Sequence, residues 1–151
     1  MRDIYVKILE SFEMNRFSVL VTIIGQSGSS PRGIGTKLLV LEDGSFVGSI
    51  GGGILEMVVL ERAKKVFAYG LPICFSYSLH GTDIANTDML CGGEVELFME
   101  PVSPHNVNHL HIFKEIIDII RRDFSSFHPA FAGIPQRIIS FVSSSYIPYG
   151  T

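Results

Sequence analysis

Hydrophobic and polar positions predict a helix and three strands in the first third of the chain. The opening segment repeats apolar side chains at helical spacing, which predicts an amphipathic helix that ends near Asn15. Residues 17–25 form an apolar, β-branched run that stops at glycine, and such a run is typical of a buried strand. Two short apolar runs, residues 36–41 and 45–50, surround an Asp-Gly pair, and this turn signal predicts a β-hairpin.

The rest of the chain alternates helix and strand patterns. Helical spacing followed by glycine and proline predicts a helix over residues 53–69. Period-2 alternation predicts strands over residues 73–79 and 94–102, with a loop-like segment between them. A one-sided apolar pattern predicts a last helix over residues 108–124, and the apolar run at residues 137–142 is a further candidate strand.

These elements predict an α+β fold, a single domain in which a mixed β-sheet is flanked by about three α-helices. The chain of 151 residues has the length of one domain, and a composition with 46% hydrophobic and 18% charged residues excludes global disorder. The formal net charge of -3 supplies no basic field, so we expect no nucleic acid partner.

Composition and cysteine use predict a cytoplasmic protein. No apolar stretch approaches the roughly 20 residues that cross a bilayer, and charged residues interrupt the first segment, so we expect neither a membrane span nor a signal peptide. The two cysteines, Cys74 and Cys91, form no CxxC pair and do not resemble a disulfide framework. We therefore expect free thiols.

Three glycine-bearing stretches, residues 25–36, 48–56 and 88–98, carry the candidate chemistry. Each falls at the edge of a predicted helix or strand, where glycine lets the backbone approach a ligand closely. The triplet at residues 51–53 precedes a helix, so its amides favour a phosphate or a similar anion, and a tight turn needed only for packing is an equal alternative. The GxxxxGK phosphate loop and the GxGxxG dinucleotide fingerprint are absent, so the sequence contains no standard ATP or NAD motif, and no HExxH zinc motif occurs.

Three side chains beside these glycines are candidates for a functional role. Cys91 precedes two glycines whose amides would stabilise a thiolate, although most single cysteines are buried hydrophobic residues. Arg32 follows a stiffening proline and could hold an anion, or it could be a surface residue without a role. Glu56 is a possible acid or base, and it also suits the first turn of a helix, which is the safer interpretation.

Together, the motifs GSSPRG at 28–33, GSIGGGILE at 48–56 and CGGEVELFMEPV at 91–102 resemble the N-terminal domain of the XdhC/CoxI family. These are accessory proteins of xanthine dehydrogenase and related molybdenum hydroxylases, and the order and spacing match over roughly residues 5–102. The resemblance implies that the protein binds the molybdenum cofactor transiently, assists its sulfuration and delivers it to the target apoenzyme. It implies a cofactor maturation chaperone rather than an enzyme, with no catalytic residue assigned.

Carried over residue by residue, the resemblance implies a cofactor pocket lined by the glycine loops, with Cys91 facing it close to the molybdenum. Molybdopterin carries a phosphate, which suits an arginine and a helix N-terminus, and a dithiolene-held metal, which suits a thiolate. The residues that would bind the cofactor are Ser29, Ser30, Pro31, Arg32, Gly51, Gly52, Gly53, Glu56, Cys91, Gly92 and Gly93.

Two departures from the family pattern bear on this interpretation. Many relatives carry cysteine where this chain has Gly53, which argues against any scheme with two thiols there. Longer relatives add a C-terminal Rossmann domain, and nothing after Val102 resembles one. We therefore assign residues 1–124 to an XdhC/CoxI-like N-terminal domain and residues 125–151 to a poorly defined extension, either of a stand-alone domain or of a truncated copy.

Two other classes of function compete with the accessory role. One is a small transferase or sulfur-handling enzyme with Cys91 as nucleophile and Arg32 gripping an anionic substrate. The other is a non-catalytic module whose apolar helices form a homodimer. For the accessory role, the expected partners are a xanthine dehydrogenase-like molybdenum hydroxylase, a cysteine desulfurase and a second copy of the chain.

Overall fold

The computed structural model describes residues 2–79 and 92–124, which form three helices and five strands. The predicted strand at residues 137–142 and the candidate thiol Cys91 lie outside this part of the chain. The elements in chain order are α1 (Arg2–Glu13), β1 (Ser18–Ser27), β2 (Lys37–Leu41), β3 (Phe46–Gly48), α2 (Gly53–Tyr69), β4 (Ile73–Ser78), β5 (Glu94–Val102) and α3 (Val107–Phe124).

The five strands form one sheet in the order β3-β2-β1-β5-β4. Each pair of neighbouring strands in the described residues is antiparallel, whereas the sequence predicts a mixed sheet. The α+β class is confirmed. The central strand is β1, where Val21 pairs with Leu38 on one side and with Met99 on the other. Because each strand alternates its side chains between the two faces, the sheet divides the hydrophobic interior into two layers.

One layer lies between the sheet and α2. Val59 and Ala63 of the helix pack there against strand residues such as Leu97, and all three are almost fully buried. The other layer lies under α1 and α3, where Leu20 of β1 meets Ile8 and Phe113. Both faces of β1 are therefore covered near its start, which explains why residues 17–25 are apolar without alternation.

The central strand is longer than its sequence pattern indicates. It continues past Gly25 to Ser27, because a register shift between Ile23 and Gly25 inserts one extra residue opposite β5. Gly25 lies inside the strand, and a Cβ there would come within 2.8 Å of a carboxylate oxygen of Glu96. The glycine thus marks a bulge and a close side-chain approach, and the expected strand end at this position is wrong.

Most other element bounds follow the predictions. The helix over residues 53–69 and the strand over residues 94–102 are confirmed, and the Gly70 N–H bonds to the Val66 carbonyl oxygen at the end of α2. The first helix ends two residues before Asn15, and both hairpin strands are shorter than expected. Within the described ranges, the helices all fall short of the length and apolar character that a membrane crossing requires.

We expect Leu97→Ala to lower the free energy of unfolding by about 2–5 kcal/mol, because Leu97 is fully buried between the sheet and α2 and its truncation leaves a cavity. Leu71→Ala removes the same atoms from a side chain that is 65% exposed, and should cost less than about 0.5 kcal/mol. Urea unfolding followed by circular dichroism measures both values. Equal losses for the two variants would contradict the position assigned to Leu97.

Candidate functional site

The start of β5 presses against the loop that follows β1. An added Cβ at Gly93 would collide with the carbonyl oxygens of Ser27 and Ser29, so only glycine fits between these backbones. From the other side, a Cβ at Gly28 would lie 3.0 Å from both the Gly92 carbonyl oxygen and the Gly93 Cα. The first and third glycine motifs of the sequence therefore meet directly.

The second glycine motif contacts the same loop through Pro31. Gly51 has a φ of 135°, and a Cβ there would come within 2.7 Å of the proline Cγ. Two further positive φ values follow at Gly52 and Gly53, where the chain turns into α2. All three glycine motifs thus converge at one end of the sheet, as far as the described residues extend.

One carboxylate holds the turn before α2 together. Glu56 Oε1 accepts hydrogen bonds from Ser49 Oγ at 2.8 Å, from the Gly52 N–H at 3.0 Å and from the Ile50 N–H at 3.2 Å. Ser49 Oγ in turn accepts a hydrogen bond from the Gly51 N–H at 3.3 Å. The turn therefore folds around its own anion, with Glu56 satisfying donors at the positive end of the helix.

This arrangement decides which amides of the triplet face outward. The N–H groups of Gly51 and Gly52 already bind Ser49 and Glu56, so they are not free donors. Gly53 is exposed and begins the helix. The structural interpretation of Glu56 from the sequence is thereby supported by its contacts. Sequence reasoning missed Ser49, although it stands in the same motif and seven residues before the glutamate.

Arg32 and its neighbours form the exposed side of the site. The loop is shaped by Ser30 Oγ, which donates a hydrogen bond of 2.9 Å to the Arg32 carbonyl oxygen. Ser29, Pro31 and Arg32 are exposed, and Ser30 is half-buried. Within the described part of the chain, the Arg32 guanidinium forms no ion pair, so it is available to an anion.

The structure describes Cys74 but not Cys91. Cys91 lies outside the described residues, and covalent connectivity alone puts it one residue before Gly92. Cys74 is exposed on β4, and its Sγ donates to Glu96 Oε1 at 3.6 Å. Loss of solvation and then the Glu96 carboxylate raise the pKa of the Cys74 thiol above its ordinary value, so it stays protonated near neutral pH.

Metal-binding side chains are not grouped in residues 2–79 and 92–124. No three histidine, cysteine, aspartate or glutamate residues of these ranges come together as a metal ion would require. Of the five histidines, His105, His109 and His111 lie near or within the start of α3; the His105 ring packs against Phe17, and His109 Nδ1 accepts a hydrogen bond from the Ser103 N–H. His80 and His128 lie outside the described residues.

Residues 13–78 match the model of the XdhC and CoxI family. This segment of the chain is similar to that family. It includes the first two glycine motifs and ends before the third. The resemblance expected from the sequence motifs is therefore confirmed over these residues.

Individual proteins are similar to this chain over longer segments than the family model. An uncharacterized protein, YqeB of Escherichia coli K12, is 31% identical over 99 residues, which are 64% of this chain and 18% of that protein. The molybdenum cofactor insertion chaperone PaoD of the same organism is 27% identical over 89 residues, 59% of this chain and 28% of that protein. A crystal structure described as a xanthine dehydrogenase from Bacillus halodurans superposes with a TM-score of 0.55 and 32% identity, over 66% of this chain and 30% of that one. The chain thus spans less than a third of each of these relatives.

We expect Gly93→Ala to lower the free energy of unfolding by about 1–3 kcal/mol, because the new Cβ forces the backbone of residues 27–29 away from β5. Gly33→Ala is the matched control, since a Cβ at Gly33 has nothing within 4 Å, and it should change stability by less than about 1 kcal/mol. Chemical denaturation of both variants measures the difference. A Gly93→Ala protein as stable as the Gly33→Ala protein would show that the two backbones do not touch.

Removal of the internal anion should also destabilise the protein. Glu56→Ala leaves three donors without their acceptor and should cost about 1–3 kcal/mol, whereas Glu56→Gln keeps an accepting oxygen and should cost less. The control is Glu61→Ala on the same helix, where an exposed pair with Lys64 is worth about 0–0.5 kcal/mol. Thermal or urea unfolding measures the loss of stability for each variant. A loss for Glu61→Ala as large as that for Glu56→Ala would contradict the role of Glu56 as the acceptor in this turn.

Proposed function

We propose that this chain is a molybdenum cofactor-binding accessory protein, and that the meeting point of the three glycine motifs is its cofactor site. The observation that carries the proposal is the pair of contacts Gly28–Gly93 and Pro31–Gly51, which bring together three segments far apart in sequence. Close backbone packing of this kind makes a rigid rim for a ligand, and glycine contributes no side chain that would have to be ordered.

The residues at this rim suit the chemical parts of molybdopterin. Its phosphate matches the exposed guanidinium of Arg32, because arginine binds phosphate through charge-assisted, often bidentate, hydrogen bonds. The bound cofactor supplies a dithiolene-held molybdenum, for which a nearby thiolate such as that of Cys91 is a suitable soft neighbour. Ser29 and Ser30 add hydroxyl groups, and the surrounding loops would shield the ligand from water.

The relatives support the same general role. PaoD is described as a molybdenum cofactor insertion chaperone, and the Bacillus halodurans chain is described as a xanthine dehydrogenase. This chain spans only 28% and 30% of these two proteins. Any activity of the complete relatives is therefore only proposed for this chain. The region shared with the family contains both Arg32 and Glu56.

The finer parts of the proposal concern partners. We propose a xanthine dehydrogenase-like molybdenum hydroxylase as the client, sulfuration of the cofactor before delivery with a cysteine desulfurase as sulfur source, a homodimer, and a cytoplasmic location. Large apolar side chains support a protein contact near the site, since Ile34, Ile54 and Met57 are exposed on the elements that carry it. A chaperone that transfers a cofactor must present its site to the client, and such residues would rim that contact.

The test is anaerobic mixing of the purified protein with released molybdenum cofactor, followed by gel filtration and quantification of molybdenum and pterin in the protein peak. We expect co-elution, and we expect Arg32→Ala to weaken retention by about ten- to hundredfold through loss of a charged hydrogen-bonding group. Arg16→Ala is the matched control, because Arg16 is exposed and precedes the opposite end of β1.

The thiols provide a second comparison in the same experiment. Cys91→Ala should reduce retention or sulfuration of the cofactor while the protein stays folded, and Cys74→Ala should behave as the unmodified protein, because Cys74 is on the β4 surface. A folded protein that retains no molybdenum and pterin would contradict the proposal. An effect of Cys74→Ala equal to that of Cys91→Ala would contradict the placement of the site.

A further inference from the structure

We infer that Glu56 is a specificity-determining residue of this site, because it fills the amide pocket before α2 with an internal carboxylate and so directs the phosphate of a ligand to Arg32. This inference rests on the proposed function in one respect, that the ligand carries a phosphate. It assigns Glu56 a positioning role and removes it from the residues that contact the phosphate.

The hydrogen bonds around Glu56 are those of an occupied anion pocket. The N–H groups of Ile50 and Gly52, two residues apart, converge on the same oxygen, as alternate amides of a backbone nest converge on a bound anion. The Ser49 hydroxyl supplies a third donor to that oxygen and takes up the intervening Gly51 N–H. The N–H groups of Ile50, Gly51 and Gly52 are therefore already engaged, and an incoming phosphate would have to displace the Glu56 carboxylate to reach them.

Charge reinforces this occupancy. A phosphate that approached the turn would meet a carboxylate in the first turn of the helix, and the carboxylate already uses the favourable field of the helix N-terminus. Across the contact between Pro31 and Gly51, Arg32 is exposed and has no acidic partner in the described residues. The two neighbouring loops therefore carry opposite charge, and Coulomb attraction favours an anionic group on the Arg32 side.

The substitution Glu56→Gln separates the charge from the hydrogen bonds. Glutamine keeps one accepting oxygen for the Ser49, Ile50 and Gly52 donors, so the turn keeps its shape, but the repulsive charge is lost. Glu56→Ala opens the pocket completely. Glu61→Gln removes the same charge from the exposed face of α2 and serves as the matched control.

The experiment is a titration of the 151-residue chain with inorganic phosphate at constant ionic strength, followed by amide NMR signals. In the unmodified protein, we expect phosphate to shift the Arg32 signal and leave the signals of Ile50 and Gly52 in place. In Glu56→Ala, which removes both the charge and the acceptor, the signals of Ile50 and Gly52 should respond, with phosphate affinity at these amides higher by at least about two- to fivefold. In Glu56→Gln, the retained oxygen still occupies these amides, so the response should be smaller than in Glu56→Ala. The Glu61→Gln protein should behave as the unmodified one.

Three results would overturn the inference. Movement of the Ile50 and Gly52 signals in the unmodified protein, equal to that in Glu56→Ala, would show that the carboxylate excludes nothing. A lack of response at these amides in Glu56→Ala would show that they are not an anion pocket. An unresponsive Arg32 in the unmodified protein would remove the directing role. Because the probe is inorganic phosphate, these results are independent of molybdenum cofactor retention.

Discussion

The close approach of the Gly93 backbone to the carbonyl oxygens of Ser27 and Ser29 is the constraint on which the candidate site depends. Hydrogen bonding between β1 and β5 brings these segments side by side, and the missing Cβ lets them come together without a gap. The loop that follows β1 is thereby held where Pro31 can reach Gly51. A larger residue at position 93 would separate the two parts of the sheet from which the site is built.

The turn before α2 solves a different problem, that of stabilising a backbone with three consecutive positive φ values. Its amides would otherwise have to bind water or a ligand, and the carboxylate of Glu56 satisfies them in advance. These internal hydrogen bonds order the turn in advance. The free energy of ligand binding at the neighbouring loop therefore does not have to offset the conformational entropy that ordering the turn would cost. The Glu56 hydrogen bonds thus stabilise the turn and also occupy backbone amides beside the Arg32 loop.

Local signals predicted the elements that depend on local forces. The bounds of α2 and β5 followed from periodicity, glycine and proline, and the convergence of the glycine motifs agrees with the family resemblance. The bulge at Ile24 and the packing of Glu96 over Gly25 could not be predicted, because both arise from pairing with a strand about 70 residues later in the chain. The return of Glu56 to Ser49 depends on φ values that hydrophobic spacing does not encode. The role of Cys91 stays a prediction.

The extra residue at the bulge in β1 also changes the phase of the strand. Before it, Val21 and Ile23 face α2, and beyond it Gln26, an even-numbered residue, pairs with Val95 on that same face. Beyond the bulge, the side chains that face α2 are therefore those at even-numbered positions, whereas before it they are at odd-numbered positions. Substitutions in the buried beginning of β1 and in the end of the strand that leads into the glycine loop therefore follow opposite alternation patterns, as in two short strands joined at Ile24.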